Sequence, residues 1–196
     1  MLIVGLGNPG AKYRGTRHNV GFDVVERLSE RWGFRADQKA QLGAQVGDGL
    51  VRQQRCLVAR PQSYMNRSGK PTADLARYFK LDADSVVVVH DDLDLDFGDV
   101  RCKLGGGHGG HNGLRDIHRH LGPEYLRIRV GVSRPPKGWD TAAYVLGKWS
   151  PEEKAELQGT LDAACDAVEV VLEQGISTAM NQFNVRPKKG ADALLN

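Results

Sequence analysis

Val86-Val87-Val88-Val89-His90-Asp91 is an unbroken β-branched run that ends on two titratable side chains. The consecutive valines leave no polar face, so the segment reads as a strand buried on both sides, the pattern of a parallel sheet covered by helices. Two further apolar runs share this layout. Leu2-Ile3-Val4 leads into Gly5-Leu6-Gly7-Asn8, and Cys56-Leu57-Val58-Ala59 leads into Pro61-Gln62-Ser63-Tyr64-Met65-Asn66. Ligands of open α/β sheets bind beyond the carboxyl ends of the strands. Asn8, Asn66 and Asp91 are therefore expected at one cleft, although they lie far apart in the chain.

Helical periodicity fills the gaps between these strands. A helix is predicted over 20–32, with Val20, Val24, Val25, Leu28 and Trp32 at helical spacing and Asn19 as its cap. Others are expected at 72–79 just behind Pro71, at 113–121, and at 151–174 between Pro151 and Gly175. Residues 42–51 and 56–60 read as paired strands, with further strands at 85–90, 100–103 and 126–132. Strands interleaved with helices imply an α/β layered fold with a mainly parallel sheet. At 196 residues the chain is expected to form one domain over 1–186, with 187–196 as a loose tail.

Composition excludes several classes. No apolar stretch approaches the ~20 residues of a membrane span. Met1 leads straight into a strand rather than into a secretory leader. Cys56, Cys102 and Cys165 are odd in number and widely spaced, so they make neither a disulfide framework nor a zinc set, and a packed role is expected for them. A cytoplasmic location follows as an expectation. The net charge of +3 permits a polyanionic partner without requiring one.

Gly5-Leu6-Gly7-Asn8-Pro9-Gly10 matches the dinucleotide-binding G-x-G-x-x-G pattern, but that pattern needs a helix opening at its third glycine. Residues 11–16 have no helical apolar face, so the segment reads as a turn that presents Asn8. In Thr16-Arg17-His18-Asn19, His18 is either a surface histidine or a general base, the usual task of histidine near neutral pH. His90-Asp91-Asp92-Leu93-Asp94-Leu95-Asp96 is dense in oxygen ligands, yet it has neither an EF-hand loop nor a second acidic cluster. Solvation explains Asp92, Asp94 and Asp96, whereas Asp91 at the strand end can orient an imidazole. Gly105-Gly106-Gly107-His108-Gly109-Gly110-His111-Asn112 lacks the P-loop ending. It is either a flexible loop with Asn112 capping a helix, or a backbone wall from which Asn112 faces a substrate. Basic residues collect nearby at Arg101, Lys103, Arg115, Arg119, Arg127, Arg129, Arg134 and Lys137. They form either a solvated face or a phosphate-binding one.

Taken together, the motifs Val4-Gly5-Leu6-Gly7-Asn8-Pro9-Gly10, Thr16-Arg17-His18-Asn19, Tyr64-Met65-Asn66-Arg67-Ser68-Gly69, His90-Asp91-Asp92-Leu93-Asp94 and Gly105–Gly113 resemble those of bacterial peptidyl-tRNA hydrolases, in the same order, from Leu2 to about Phe183. The resemblance implies a three-layer α/β/α sandwich around a twisted, mostly parallel mixed sheet. It also implies a monomeric hydrolase without cofactor or metal, whose partner is peptidyl-tRNA and not a membrane. By the same resemblance His18, Asp91 and Asn8 are catalytic. Asn66, Asn112, Tyr13, Met65, Tyr64 and His111 contact substrate, and Lys103 and Arg129 contact tRNA phosphate. Arg134 and Lys137 are weaker phosphate candidates. Tyr64 stands where many relatives have Phe, and Arg115 where many have Lys.

Residue chemistry agrees with an acyl hydrolase. Cleaving an ester needs an activated water and a stabilised oxyanion. One histidine with an orienting carboxylate supplies the first, and neutral amides supply the second. Two other classes stay open: a nicotinamide-dependent oxidoreductase, on the glycine pattern alone, and a non-catalytic RNA-binding module, on the basic 101–137 region.

Overall fold

The computed structural model describes residues 1–35 and 40–185; the expected tail at 187–196 lies outside them. Strands β1 (Leu2–Gly5), β2 (Ala40–Gln41), β3 (Ala44–Val51), β4 (Gln54–Pro61), β5 (Val86–Asp92), β6 (Val100–Leu104) and β7 (Leu126–Gly131) form one sheet in the order β2-β3-β4-β1-β5-β7-β6. The centre, β4-β1-β5-β7, is parallel. Antiparallel pairing closes both edges, through β2-β3-β4 on one side and β7-β6 on the other. Tight turns join β2, β3 and β4, whereas the glycine loop and the helix at Asn112–Leu121 lie between β6 and β7.

Alternation along the strands sorts the core into two layers. Ile3, Val58, Val87 and Val89 pack with α1 (Val20–Trp32) and α5 (Pro151–Phe183) on one face. Leu2, Val4, Leu57, Ala59, Val86 and Val88 pack with α2 (Gly69–Tyr78) and α3 (Asn112–Leu121) on the other. The valines of β5 serve both layers, which is why that run has no polar position.

Element ends differ from the sequence reading for local reasons. Helix α2 begins at Gly69, so Pro71 sits in its first turn, where its missing N–H has no intrahelical partner to lose. Gly175 does break α5, with φ 81°, but the chain resumes its helix to Phe183. Ile176, Ala179, Met180 and Phe183 there pack on the core. The short helix α4 (Thr141–Val145) and the 3₁₀ turns at Ala11–Tyr13, Arg17–Asn19, Met65–Arg67 and Ala83–Ser85 are too short to show a period in sequence.

The glycine pattern has a packing role instead of a phosphate-binding one. A Cβ on Gly5 would lie 2.0 Å from the Gly21 carbonyl oxygen, and one on Gly21 would lie 2.4 Å from the Val89 carbonyl oxygen. Helix α1 therefore rests directly on β1 and β5, which carries the preceding residue His18 toward the end of β5. Gly21→Ala must push α1 off the sheet. We expect a loss of about 1–3 kcal/mol of stability, read as a lower urea midpoint; an unshifted midpoint would show that α1 moves freely.

Candidate active site

Beyond the carboxyl ends of β1, β4 and β5 lies a cavity of about 780 Å³. Asn8, His18, Met65, Asn66, Asp91, Lys103, His111, Asn112, Arg129 and Arg134 line it, as the sequence reading expected. Tyr13 and Tyr64 do not line it. They meet edge-to-face beside it, ring centroids 6.3 Å apart, with Tyr64 exposed. Lys137 is exposed on the adjoining loop.

His18 is held by its sequence neighbours. Thr16 pairs with Lys148 as an isolated β-bridge, and its hydroxyl donates to the Tyr13 carbonyl. The Arg17 guanidinium makes a two-point contact with Glu153 at 2.6 and 3.2 Å and donates to the Lys148 carbonyl. It also lies over the Tyr144 ring, 4.4 Å from its centroid. The Asn19 side chain does not cap α1. Its Oδ1 accepts from the Asn8 N–H and its Nδ2 donates to the Asn8 carbonyl, both at 2.9 Å. Asn8 Oδ1 in turn accepts from the Met65 N–H at 2.8 Å. This relay of amides braces the segment between β1 and α1 and ties it to the one that follows β4. It also fixes the Asn8 amide, and among the described residues Asn8 Nδ2 has no partner.

Three histidines, His18, His90 and His111, gather around Asp91, and hydrogen bonds give each a different role. His18 Nδ1 lies 2.9 Å from both Asp91 carboxylate oxygens. His18 therefore donates from Nδ1 and keeps its Nε2 lone pair. His111 Nε2 lies 2.9 Å from Asp91 Oδ1, while its Nδ1 accepts from the Gly113 and Leu114 N–H groups. Both His111 nitrogens are engaged. His111 is thus the residue that caps α3; Asn112, for which a capping role is one of the two readings from sequence, is its first residue and accepts from Arg115. His90 donates from Nδ1 to the Asp91 carbonyl, and its buried Nε2 has no partner among the described residues.

Charges follow from these contacts. Burial pulls His90 down to about 3, with His111 as the next contribution, so it stays neutral. Burial also opposes charge on His18, but the Asp91 charge and hydrogen bond outweigh it and raise the His18 pKa above the ordinary 6.5. Asp91 is itself buried, which opposes ionisation, yet His18 and His111 hold its carboxyl well below the usual range. Ligand-capable atoms of His18, Asp91 and His111 lie within 4.8 Å of one another, and two N–H···O bonds account for that closeness. Cys102 and Cys165 are buried and pushed up to about 12, and Cys56 is raised by burial too, so all three stay thiols.

The basic residues divide into paired and unpaired. Arg129 Nε bonds Asp92 Oδ2 at 2.7 Å, and Arg134 pairs with Asp94. Lys103 has no carboxylate partner among the described residues. Neither has Arg127, which the sequence reading left within the general basic cluster. It is buried, and its guanidinium donates to the carbonyls of Gly106 and Gly107 beneath the glycine loop. Only its neighbours in space distinguish it from Arg129, two residues along the same strand.

Comparison with known proteins fits this geometry. A family model described as peptidyl-tRNA hydrolase matches residues 2–191. The chain belongs to the peptidyl-tRNA hydrolase family. The peptidyl-tRNA hydrolase of Rhodococcus erythropolis is 49% identical over 184 residues, covering 93% of this chain and 97% of that one. That of Anaeromyxobacter sp. strain K is 47% identical over 188 residues, covering 95% and 97%. Among solved structures, the peptidyl-tRNA hydrolase of Acinetobacter baumannii superposes with a TM-score of 0.88 at 38% identity, covering 94% of each chain. These relatives bear out the expected α/β fold and hydrolase class, and set aside the oxidoreductase and the non-catalytic RNA-binding readings. Among the described residues no helix is long and apolar enough to cross a membrane.

Proposed function

We propose that this peptidyl-tRNA hydrolase family member cleaves the ester between a peptide and the tRNA 3′ ribose through a water activated at His18. One observation carries this reading. Of the three histidines around Asp91, His111 has both ring nitrogens engaged and His90 keeps its spare Nε2 buried, in surroundings that pull its pKa down to about 3, whereas His18 is partly exposed at the cavity with its Nε2 free and its pKa raised. Water attacks the ester carbonyl carbon as His18 Nε2 takes its proton. Asp91 holds the tautomer and favours the imidazolium that forms. The Asn8 Nδ2 donor faces the developing oxyanion, a neutral group that stabilises charge without neutralising the base. Collapse of the tetrahedral intermediate expels the ribose 3′ oxygen, which regains the proton from His18, leaving a free peptide and tRNA. Asn66 and Asn112 grip the substrate, Met65 packs against it, and Tyr13 and Tyr64 extend the surface beside the cavity. Hydrolysis of N-acyl-aminoacyl-tRNA, with free aminoacyl-tRNA as control, tests the reading; no turnover of the former overturns it.

Phosphate recognition is assigned to Lys103, backed by the buried charge of Arg127. Arg129 is already neutralised by Asp92. Removing a true phosphate contact lowers the salt dependence of substrate binding by about 1 in slope. Lys103→Ala is expected to show that loss, and Arg129→Ala a much smaller one. Equal slopes in Lys103→Ala and the unmodified enzyme would place the tRNA elsewhere.

A further inference from the structure

Trp139 is 65% exposed, although the core buries Trp149 to 4%. A large ring left in water gains nothing for the fold. It has no ring or cation contact among the described residues. The backbone that presents it is nevertheless well defined. The Trp139 N–H donates to the Pro136 carbonyl at 3.1 Å, and Gly138 has φ 89°. That closes a β-turn over 136–139 with its left-handed position at Gly138, which glycine alone adopts without strain. Pro135 and Pro136 restrict the approach, and the Ser133 hydroxyl anchors the base of the loop by accepting from the Phe97 N–H. Lys137, at the tip of the turn, is exposed. The next residue, Asp140, caps α4 through the Ala143 N–H, and Asp140 and Thr141 line the cavity that holds His18. Trp139 is therefore exposed on a braced turn directly before two residues of the cavity lining, with Lys137 two positions away in the same turn.

We propose that Trp139 is a stacking platform for an unpaired base at the 3′ end of the tRNA. This rests on the peptidyl-tRNA reading above. The occupant follows from charge and geometry. A substrate whose scissile ester reaches His18 must thread a single-stranded, polyanionic end past the cavity rim. An exposed aromatic with adjacent lysine is the pairing that binds such strands, since every base has a π face and every nucleotide a phosphate. Trp139 supplies contact area without charge, so its effect is separable from that of Lys103.

Two measurements test this. The first is kinetics on N-acyl-aminoacyl-tRNA. Trp139→Ala is expected to raise KM about fivefold or more, as for one lost base stack, with kcat near that of the unmodified enzyme and an unchanged salt slope. Trp139→Phe is expected to retain most of the affinity. The second is fluorescence titration with the trinucleotide CCA. Quenching is expected in the unmodified protein and largely absent in Trp139→Phe, which retains Trp32 and Trp149. An unmodified KM in Trp139→Ala, or equal quenching in Trp139→Phe, overturns the platform. So does an equal KM rise on an N-acyl amino-acid ester without nucleotides, which would assign the ring to the peptide. An unmodified enzyme that quenches with CCA but never cleaves the tRNA substrate overturns the hydrolase reading instead.

Discussion

Replacing His18 with alanine is expected to lower kcat about 10²- to 10⁴-fold, the usual yield of a positioned general base. KM for peptidyl-tRNA should change little, because Asn66, Asn112 and Lys103 still hold the substrate. The pH profile of the unmodified enzyme gives the same assignment from another direction. A base must be neutral, so kcat/KM falls as pH drops through the His18 pKa. Asp91 holds that pKa above 6.5, so the acid limb should lie at higher pH than for an isolated histidine. The raised pKa also acts on stability. Protonated His18 on Asp91 adds stability that is fully present below the unfolded-state pKa, and it is lost as pH rises through the folded-state pKa. Full turnover in His18→Ala would reduce His18 to an ordinary loop histidine.

Asp91→Asn is expected to cost turnover clearly, though less than His18→Ala, by a different route. The carboxylate accepts N–H groups from two rings at once, His18 Nδ1 and His111 Nε2. An amide offers one oxygen and an NH₂. His111 cannot exchange tautomers, because its Nδ1 already accepts from the N-terminus of α3. His18 must therefore adapt. With the NH₂ against its Nδ1, the proton moves to Nε2 and the lone pair that faces the cavity is lost. The acid limb should shift to lower pH as well, since the negative charge that raised the His18 pKa is gone. A variant with unchanged kcat and an unchanged acid limb would show that Asp91 is dispensable for orientation. Measuring kcat and the pH profile together separates the lost charge from a general loss of fold.

Much of the site was legible because its residues stand at the ends of apolar runs. The Val86–Val89 run marked a doubly buried strand, and sheet topology then placed Asn8, Asn66 and Asp91 at one cleft. The differences were local. Asn19 looks like a helix cap in sequence, but Asn8 outcompeted the cap for it, and of the two readings of Asn112 the capping one falls to His111 instead. Helix α4, five residues long, carries no period to read, yet it walls the cavity.

By itself the sequence determined the layered α/β architecture, the packed state of the cysteines, and the amides, acid and base that meet at the strand ends. These follow from periodicity and residue type, which act over a few positions. Only the tertiary structure decided which of three histidines keeps a basic nitrogen open to the cavity, which arginine is neutralised, and what the glycine motif is for. Each of those depends on a partner far along the chain: Asp91 for His18, Asp92 for Arg129, the Gly21 backbone for Gly5. A proton's position and a charge's worth are set by the groups within about 3 Å of it, and it is the fold that brings those groups within reach.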